Sequence, residues 1–173
     1  GWSRYLLLGH SMGGVTAMYC AAQDPRVETL ALLCSVGLRR HRGMKMGSTV
    51  ARLFLALTYI PGLGSSLVKL TKRGLQRLGF RGHVLDRAQL QLILRHIITL
   101  DFKALRATAQ RLEMPVFCLW TADDPLIEAE ISKELMETIP QAQGIELESG
   151  QHNPQKWCTT QVTAWIEHFY GEL

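Results

Sequence analysis

The sequence predicts an α/β protein built on a parallel sheet of about four strands. Three observations predict it. Short apolar runs at residues 5–8, 27–36, 116–120 and 144–148 have the length of buried strands. Stretches of helical periodicity separate successive runs, which rules out tight hairpins and implies parallel pairing. Glycine-rich or acidic turns follow the first, third and fourth runs, so the polar residues gather at strand C-terminal ends, where open α/β sheets keep their sites. With 173 residues, 47% of them hydrophobic and 20% charged, the chain can bury a core without disulfides or a structural metal, and it does not have the composition of a disordered chain.

Taken in order, the run Tyr5, Leu6, Leu7, Leu8 ends at Gly9 and opens the sheet. Val15, Met18, Tyr19 and Ala22 recur at helical spacing over residues 12–23, and Asp24-Pro25 closes that helix because proline cannot continue it. The second strand covers residues 27–36. Three amphipathic helices are then expected. The first, over residues 49–59, carries Val50, Leu53, Phe54 and Leu57 on its inner face. The second, over 65–78, turns Leu67, Leu70 and Leu78 inward. The third, capped by Asp86, has a stripe of Leu90, Ile93, Leu94, Ile97 and Ile98. A further helix runs from Asp101 to about Glu113. The third strand, a helix over 129–138, the fourth strand and a last helix over 155–170 complete the chain. The expected division is residues 1–38 with 101–173 as an α/β core, and residues 39–100 as a helical insertion too long to be a plain loop.

Charge marks the same insertion. Residues 38–100 hold twelve Lys or Arg and one acid, Asp86, whereas the rest of the chain holds seven basic and fourteen acidic residues. The cationic helices, with Arg39, Arg40, Arg42, Lys45, Lys69, Lys72, Arg73, Arg77 and Arg81, have the character of a solvated face or of a surface for an anionic membrane. A nucleic-acid partner is not expected, since aromatic residues are sparse among the cations. Cys20, Cys34, Cys118 and Cys158 are too far apart for zinc or redox motifs and are expected to be reduced core thiols, and no metal site is expected. The densest apolar stretch, residues 50–63, is too short to span a membrane. The start of the chain does not read as a signal peptide, so a cytoplasmic location is expected.

Chemistry concentrates in three places. Gly9-His10-Ser11-Met12-Gly13 is a G-x-S-x-G sequence between a strand and a helix, the setting of a nucleophile elbow. Such a turn is tight and strained, so side chains at Gly9 and Gly13 are expected to collide with neighbouring backbone. A serine hydroxyl needs a base, and the base needs an orienting acid. His152 follows the last strand, and Asp124 follows the third, in the chain order Ser, Asp, His. Asp123, its neighbour, reads as a solvated turn residue or as a support behind the reacting residues. His10 reads as a packing residue beside the serine. Met44, Met46, Phe54 and Tyr59 read either as the lining of an acyl pocket or as plain helix packing.

The stretches Leu8-Gly9-His10-Ser11-Met12-Gly13-Gly14, Leu119-Trp120-Thr121-Ala122-Asp123-Asp124-Pro125-Leu126-Ile127 and Ser149-Gly150-Gln151-His152-Asn153-Pro154 resemble the elbow, acid turn and histidine loop of α/β-hydrolase-fold serine hydrolases. The spacing from the acid to Ile127 selects Asp124 over Asp123, and Gln151 stands where the family often has Gly directly before His. The resemblance implies a partial α/β-hydrolase fold, its C-terminal portion, with an inserted lid at residues 39–100. It implies Ser11 as nucleophile, His152 as base, Asp124 as its orienter, and the backbone N–H of Met12 as one oxyanion donor. The second donor and the strand beside residues 5–8 would precede Gly1, which leaves an apolar sheet edge and a chain expected to be weak or inactive by itself. The expected activity is cleavage of a carboxylic ester of a hydrophobic or lipid-like acyl substrate through an acyl-enzyme, without a cofactor. Thioester cleavage, amide cleavage and acyl transfer fit the same residues equally well, and a non-catalytic binding module on a truncated hydrolase scaffold is the alternative.

Overall fold

The computed structural model describes residues 3–44, 46–77 and 85–170, so Lys45, Leu78 and Arg81, named above, lie outside the described residues. The backbone divides into two compact units, residues 1–43 with 102–173, and residues 44–101.

In the first unit, strands β1 (Tyr5–His10), β2 (Val27–Leu33), β3 (Val116–Thr121) and β4 (Ala142–Leu147) form one sheet in the order β1-β2-β3-β4. Every neighbouring pair is parallel. Helices α1 (Met12–Ala21), α5 (Phe102–Ala109), α6 (Ala129–Thr138), α7 (Pro154–Trp157) and α8 (Thr159–Tyr170) belong to this unit. The central strands β2 and β3 are almost wholly buried, as a parallel sheet covered on both faces requires. On one face Ala31, Leu33, Phe117 and Leu119 pack with Val162 and Trp165 of α8. β1 pairs only with β2 among the described residues, and Leu8 is exposed along it, the apolar edge that the sequence predicts.

Several element boundaries differ from expectation: β1 runs on to His10, β2 ends at Leu33 and α3 begins at Leu63. β4 begins two residues early, at Ala142, and pairs from there with Val116. α5 stops at Ala109, with Leu112 buried in the turn that leads to β3. The last helix is two helices broken at Cys158, whose N–H closes α7 on the Pro154 carbonyl. Cys34 and Cys118 are buried, but Cys20 is exposed on α1, so the four free thiols are not all core residues.

The second unit comprises α2 (Ser48–Leu57), α3 (Leu63–Arg77) and α4 (Arg87–Thr99). Asp86 caps α4 as predicted, in a reciprocal box with Gln89. Its apolar cluster is Ala51, Leu90 and Leu94, with Met46, Phe54, Leu55, Leu67, Val68, Ile97 and Ile98 around it. Two predicted inner faces are rotated. α2 turns Ala51, Phe54 and Leu55 inward and leaves Val50 and Leu53 exposed, and α3 buries the Leu67–Val68 side while Leu70 is exposed. The small side chain of Ala51, wholly buried, lets α2 and α4 come close, which sets the face that packs. Tyr59, read above as pocket lining or packing, is exposed, and its hydroxyl accepts a hydrogen bond from Arg95 (2.9 Å).

Candidate active site

Parallel pairing brings the C-terminal ends of β1, β3 and β4 to one edge of the sheet, and the turns after them carry Ser11, Asp124 and His152. Ser11 sits between β1 and α1 with φ 54° and ψ −124°, a conformation that L residues rarely adopt. The neighbouring backbone holds it there. Its N–H donates to the Leu33 carbonyl (3.1 Å), and its carbonyl accepts from Gly14 (3.0 Å) and Val36 (3.1 Å). The turn closes because Gly9 and Gly14 lack side chains. A Cβ on Gly9 would stand 2.6 Å from the Gly14 Cα, and one on Gly14 would stand 2.0 Å from the Ser35 Oγ. Gly13 corrects the expectation: a Cβ there meets nothing within 4 Å among the described residues, since it points outward from the first turn of α1. The close approach falls one residue later than the sequence pattern suggests.

Asp124 is fixed on both carboxylate oxygens. Oδ1 accepts from the N–H groups of Leu126 (2.7 Å) and Ile127 (3.1 Å), and Oδ2 accepts from His152 Nδ1 (2.8 Å). With Nδ1 donating, the neutral ring leaves Nε2 as an acceptor for the Ser11 hydroxyl, 2.7 Å away. Asp124 is 4% exposed and His152 2%, so this relay is screened from water along most of its length. Met12 opens α1, and its N–H has no carbonyl partner within the helix and belongs to the positive end of the helix dipole. Of the two neighbouring aspartates, Asp124 is the one whose carboxylate meets His152 Nδ1.

The family model described as "Serine aminopeptidase, S33" matches residues 1–153. The chain belongs to this family. Among curated proteins none matches it. Solved α/β structures share its fold at low identity. A hydrolase from Pseudomonas aeruginosa PA01 is 18% identical with a TM-score of 0.73, over 98% of this chain and 66% of that one. An enol-lactonase from Burkholderia xenovorans LB400 is 20% identical with a TM-score of 0.65, over 96% and 66%. A lipase-esterase related protein from Clostridium acetobutylicum is 19% identical with a TM-score of 0.65, also over 96% and 66%. The chain therefore spans just under two thirds of the length of these structures, and its sheet and flanking helices are a partial α/β-hydrolase fold.

Within this member of the family, three further residues support the histidine loop, and sequence reasoning raised such a role for Asp123 alone. Asp123 is not merely solvated: its Oδ1 accepts from the Gln151 N–H (2.8 Å). Thr121 Oγ1 donates to the Gln151 carbonyl (2.7 Å), so the inserted Gln151, at φ 52°, is clamped on both sides of its peptide. His10 Nε2 donates to the His152 carbonyl (2.8 Å), with the two rings 5.1 Å apart. Burial pushes the His10 pKa below its ordinary value, against the raising effect of its hydrogen bond to the His152 carbonyl. Burial also pushes the Cys34 thiol far up, with the neighbouring Asp124 carboxylate adding to it, so this cysteine at the end of β2 stays protonated. The adjacency of His10 to Ser11 was the signal available in the sequence. The long-range partners of Asp123 and Thr121 had none.

Among the described residues no group of three or more His, Cys, Asp or Glu is arranged to hold a metal. A surface groove of about 630 Å³ between α1 and α5, lined by Tyr19, Ala107, Thr108 and Arg111 among others, touches none of Ser11, Asp124 or His152.

Proposed function

We propose that this chain carries the nucleophile, base and acid of a serine hydrolase that cleaves a carboxylic ester of a hydrophobic substrate through an acyl-enzyme. The observation that carries the reading is the buried relay from Ser11 Oγ through His152 to Asp124, at 2.7 and 2.8 Å. Ser11 Oγ attacks the ester carbonyl while His152 Nε2 takes its proton. Asp124 holds the ring in the tautomer that can do so and stabilises the imidazolium that forms. The negative charge of the tetrahedral intermediate meets the Met12 N–H at the head of α1. His152 then protonates the leaving alkoxide, which departs as the alcohol. Water, deprotonated by the same ring, releases the acid and regenerates Ser11. The apolar helices of residues 39–100, in the position of the family's lid, support an apolar acyl group. The Met12 N–H, at the first turn of α1, supplies one oxyanion donor.

A fluorophosphonate probe tests this reading. Labelling is expected in the wild type and in Ser35→Ala and is expected to vanish in Ser11→Ala. Folded wild-type chain that takes no label would overturn the assignment in favour of a binding module. Comparison of p-nitrophenyl esters with the matching thioesters then separates esterase from thioesterase chemistry.

A further inference from the structure

The helical unit presents an apolar ridge in a cationic setting. α2 turns into α3 through Tyr59, Ile60, Pro61 and Gly62, with Gly62 at φ 82° making the bend. Tyr59, Ile60 and Leu63 are exposed at this corner, and Leu70 continues the line two turns along α3 at 62% exposure. Val68, on the other side of α3, and Leu67, one turn from both Leu63 and Leu70, pack against the unit's own core, while Leu63 and Leu70 lie outside it. The corner is rigid. Gln91 Nε2 donates to Thr58 Oγ1 (2.9 Å), Arg95 donates to the Tyr59 hydroxyl (2.9 Å), and the Arg87 guanidinium lies against Gly64.

Cations surround this ridge. Lys69, Lys72 and Arg73 lie within three residues of Leu70 along α3, and Arg87 and Arg95 lie at the corner. Residues 44–101 contain nine Lys or Arg and two acids, Asp86 and Asp101. Asp86 is occupied with the N-terminus of α4. None of these five cations forms an ion pair with a described residue. Like charge around the ridge disfavours its burial against a second copy of this chain, because pairing would bring two cationic collars together. A nucleic acid would satisfy the charge but offers no apolar phase for Ile60, Leu63 and Leu70. An anionic bilayer surface satisfies both: acyl chains receive the aliphatic residues, Tyr59 sits at the interface, and the lysines and arginines reach phosphate and carboxylate headgroups.

We propose that the corner at residues 59–63 and the Leu63–Leu70 side of α3 form a docking surface for an anionic phospholipid membrane, with α3 lying in the plane of the interface. The claim concerns the helical unit alone and stands whether or not Ser11 is a nucleophile.

Sedimentation of the full chain with phosphatidylcholine vesicles, with and without phosphatidylserine, tests it. The chain is expected to sediment with the anionic vesicles, far less with neutral ones, and progressively less as salt rises. Lys69→Glu/Lys72→Glu/Arg73→Glu is expected to weaken partitioning on the order of 100-fold or more, since each cation near the surface contributes about fivefold. Ile60→Ser/Leu63→Ser, whose folding is checked by a cooperative thermal transition, is expected to lose about tenfold or more from the buried aliphatic groups. Ile60→Trp is expected to gain binding, a readout that no loss of folding can mimic. Wild-type chain that stays in the supernatant, equal binding to neutral vesicles, or unchanged binding by both Ile60 variants would overturn the proposal. So would binding to RNA but not to vesicles, or self-association that Ile60→Ser/Leu63→Ser abolishes.

Discussion

The α/β unit buries an ionisable pair, Asp124 and His152, and among the described residues the helical unit buries no ionisable side chain, while most of the large apolar side chains that face solvent lie in the helical unit. Around β2 and β3, Leu30, Leu32, Leu119 and Ile131 are inaccessible, and among them Asp124 and His152 are buried with their polar atoms paired. In residues 44–101 the buried apolar cluster centres on Ala51, Leu90 and Leu94, while Leu53, Leu63, Leu70 and Leu92 face solvent. The difference has a physical cause. A parallel sheet covered on both faces fixes the ends of its strands, and groups that must meet within hydrogen-bond distance need that fixity. Three helices around a small cluster bury less and open at lower free energy, which suits a surface that meets a soft partner better than one that aligns a proton relay.

The sharpest way to break the comparison is Asp124→Asn. The substitution keeps the shape of the buried turn but presents an amide where Nδ1–H of His152 needs an acceptor. The ring then favours the tautomer in which Nε2 cannot take the Ser11 proton. A drop of about 10⁴ in the rate of fluorophosphonate labelling is expected, with the fold retained by circular dichroism. A loss below tenfold would mean that the relay does not activate Ser11.

Next in size is a pair of leucines. Leu30→Ala empties a wholly buried site in β2 and is expected to cost about 2–5 kcal/mol in chemical denaturation. Leu70→Ala, on the exposed side of α3, is expected to stay within about 0.5 kcal/mol. Comparable losses at the two positions would erase the contrast between the units.

The sequence was readable where one periodicity excludes others. The four strands, the Asp86 cap and the order Ser11, Asp124, His152 follow from run length, capping chemistry and the placement of turns. It was unreadable where two stripes compete. On α2, Val50 and Leu53 are as apolar as Phe54 and Leu55, and on α3, Leu70 is as good a core residue as Val68. Which stripe packs is decided by a neighbour far along the chain, here α4 against Ala51. The same limit hid the supports of the histidine loop. Asp123 and Thr121 reach Gln151 across roughly 30 residues of chain, and no local pattern encodes that distance. The glycine pattern misled in a smaller way: it marked Gly13, while the steric need lies at Gly14, where Ser35 from the end of β2 comes close.

The smallest effect concerns His10, the one support that touches both sides of the relay. Its Nε2–H holds the His152 carbonyl, and its half-buried ring has a pKa below the ordinary value of about 6.5 because burial disfavours the charged form. In the unfolded chain the ring protonates more readily, so the unfolded state binds more protons as pH falls through that value. The stability contribution is therefore full above about 6.5 and declines as pH drops from there toward the folded pKa. His41 is depressed by burial in the same direction and adds to the slope. His10→Gln keeps an N–H donor for the His152 carbonyl but cannot titrate, so it is expected to melt like wild type near neutrality and to lose less stability on acidification. His10→Ala removes the donor as well and is expected to cost about 1 kcal/mol at neutral pH, with slower labelling of Ser11 that His10→Gln largely restores. Thermal melts across pH, paired with labelling rates, separate the two roles: an unchanged acid slope in both variants would remove the titration claim, and equal labelling by Gln and Ala would remove the positioning one.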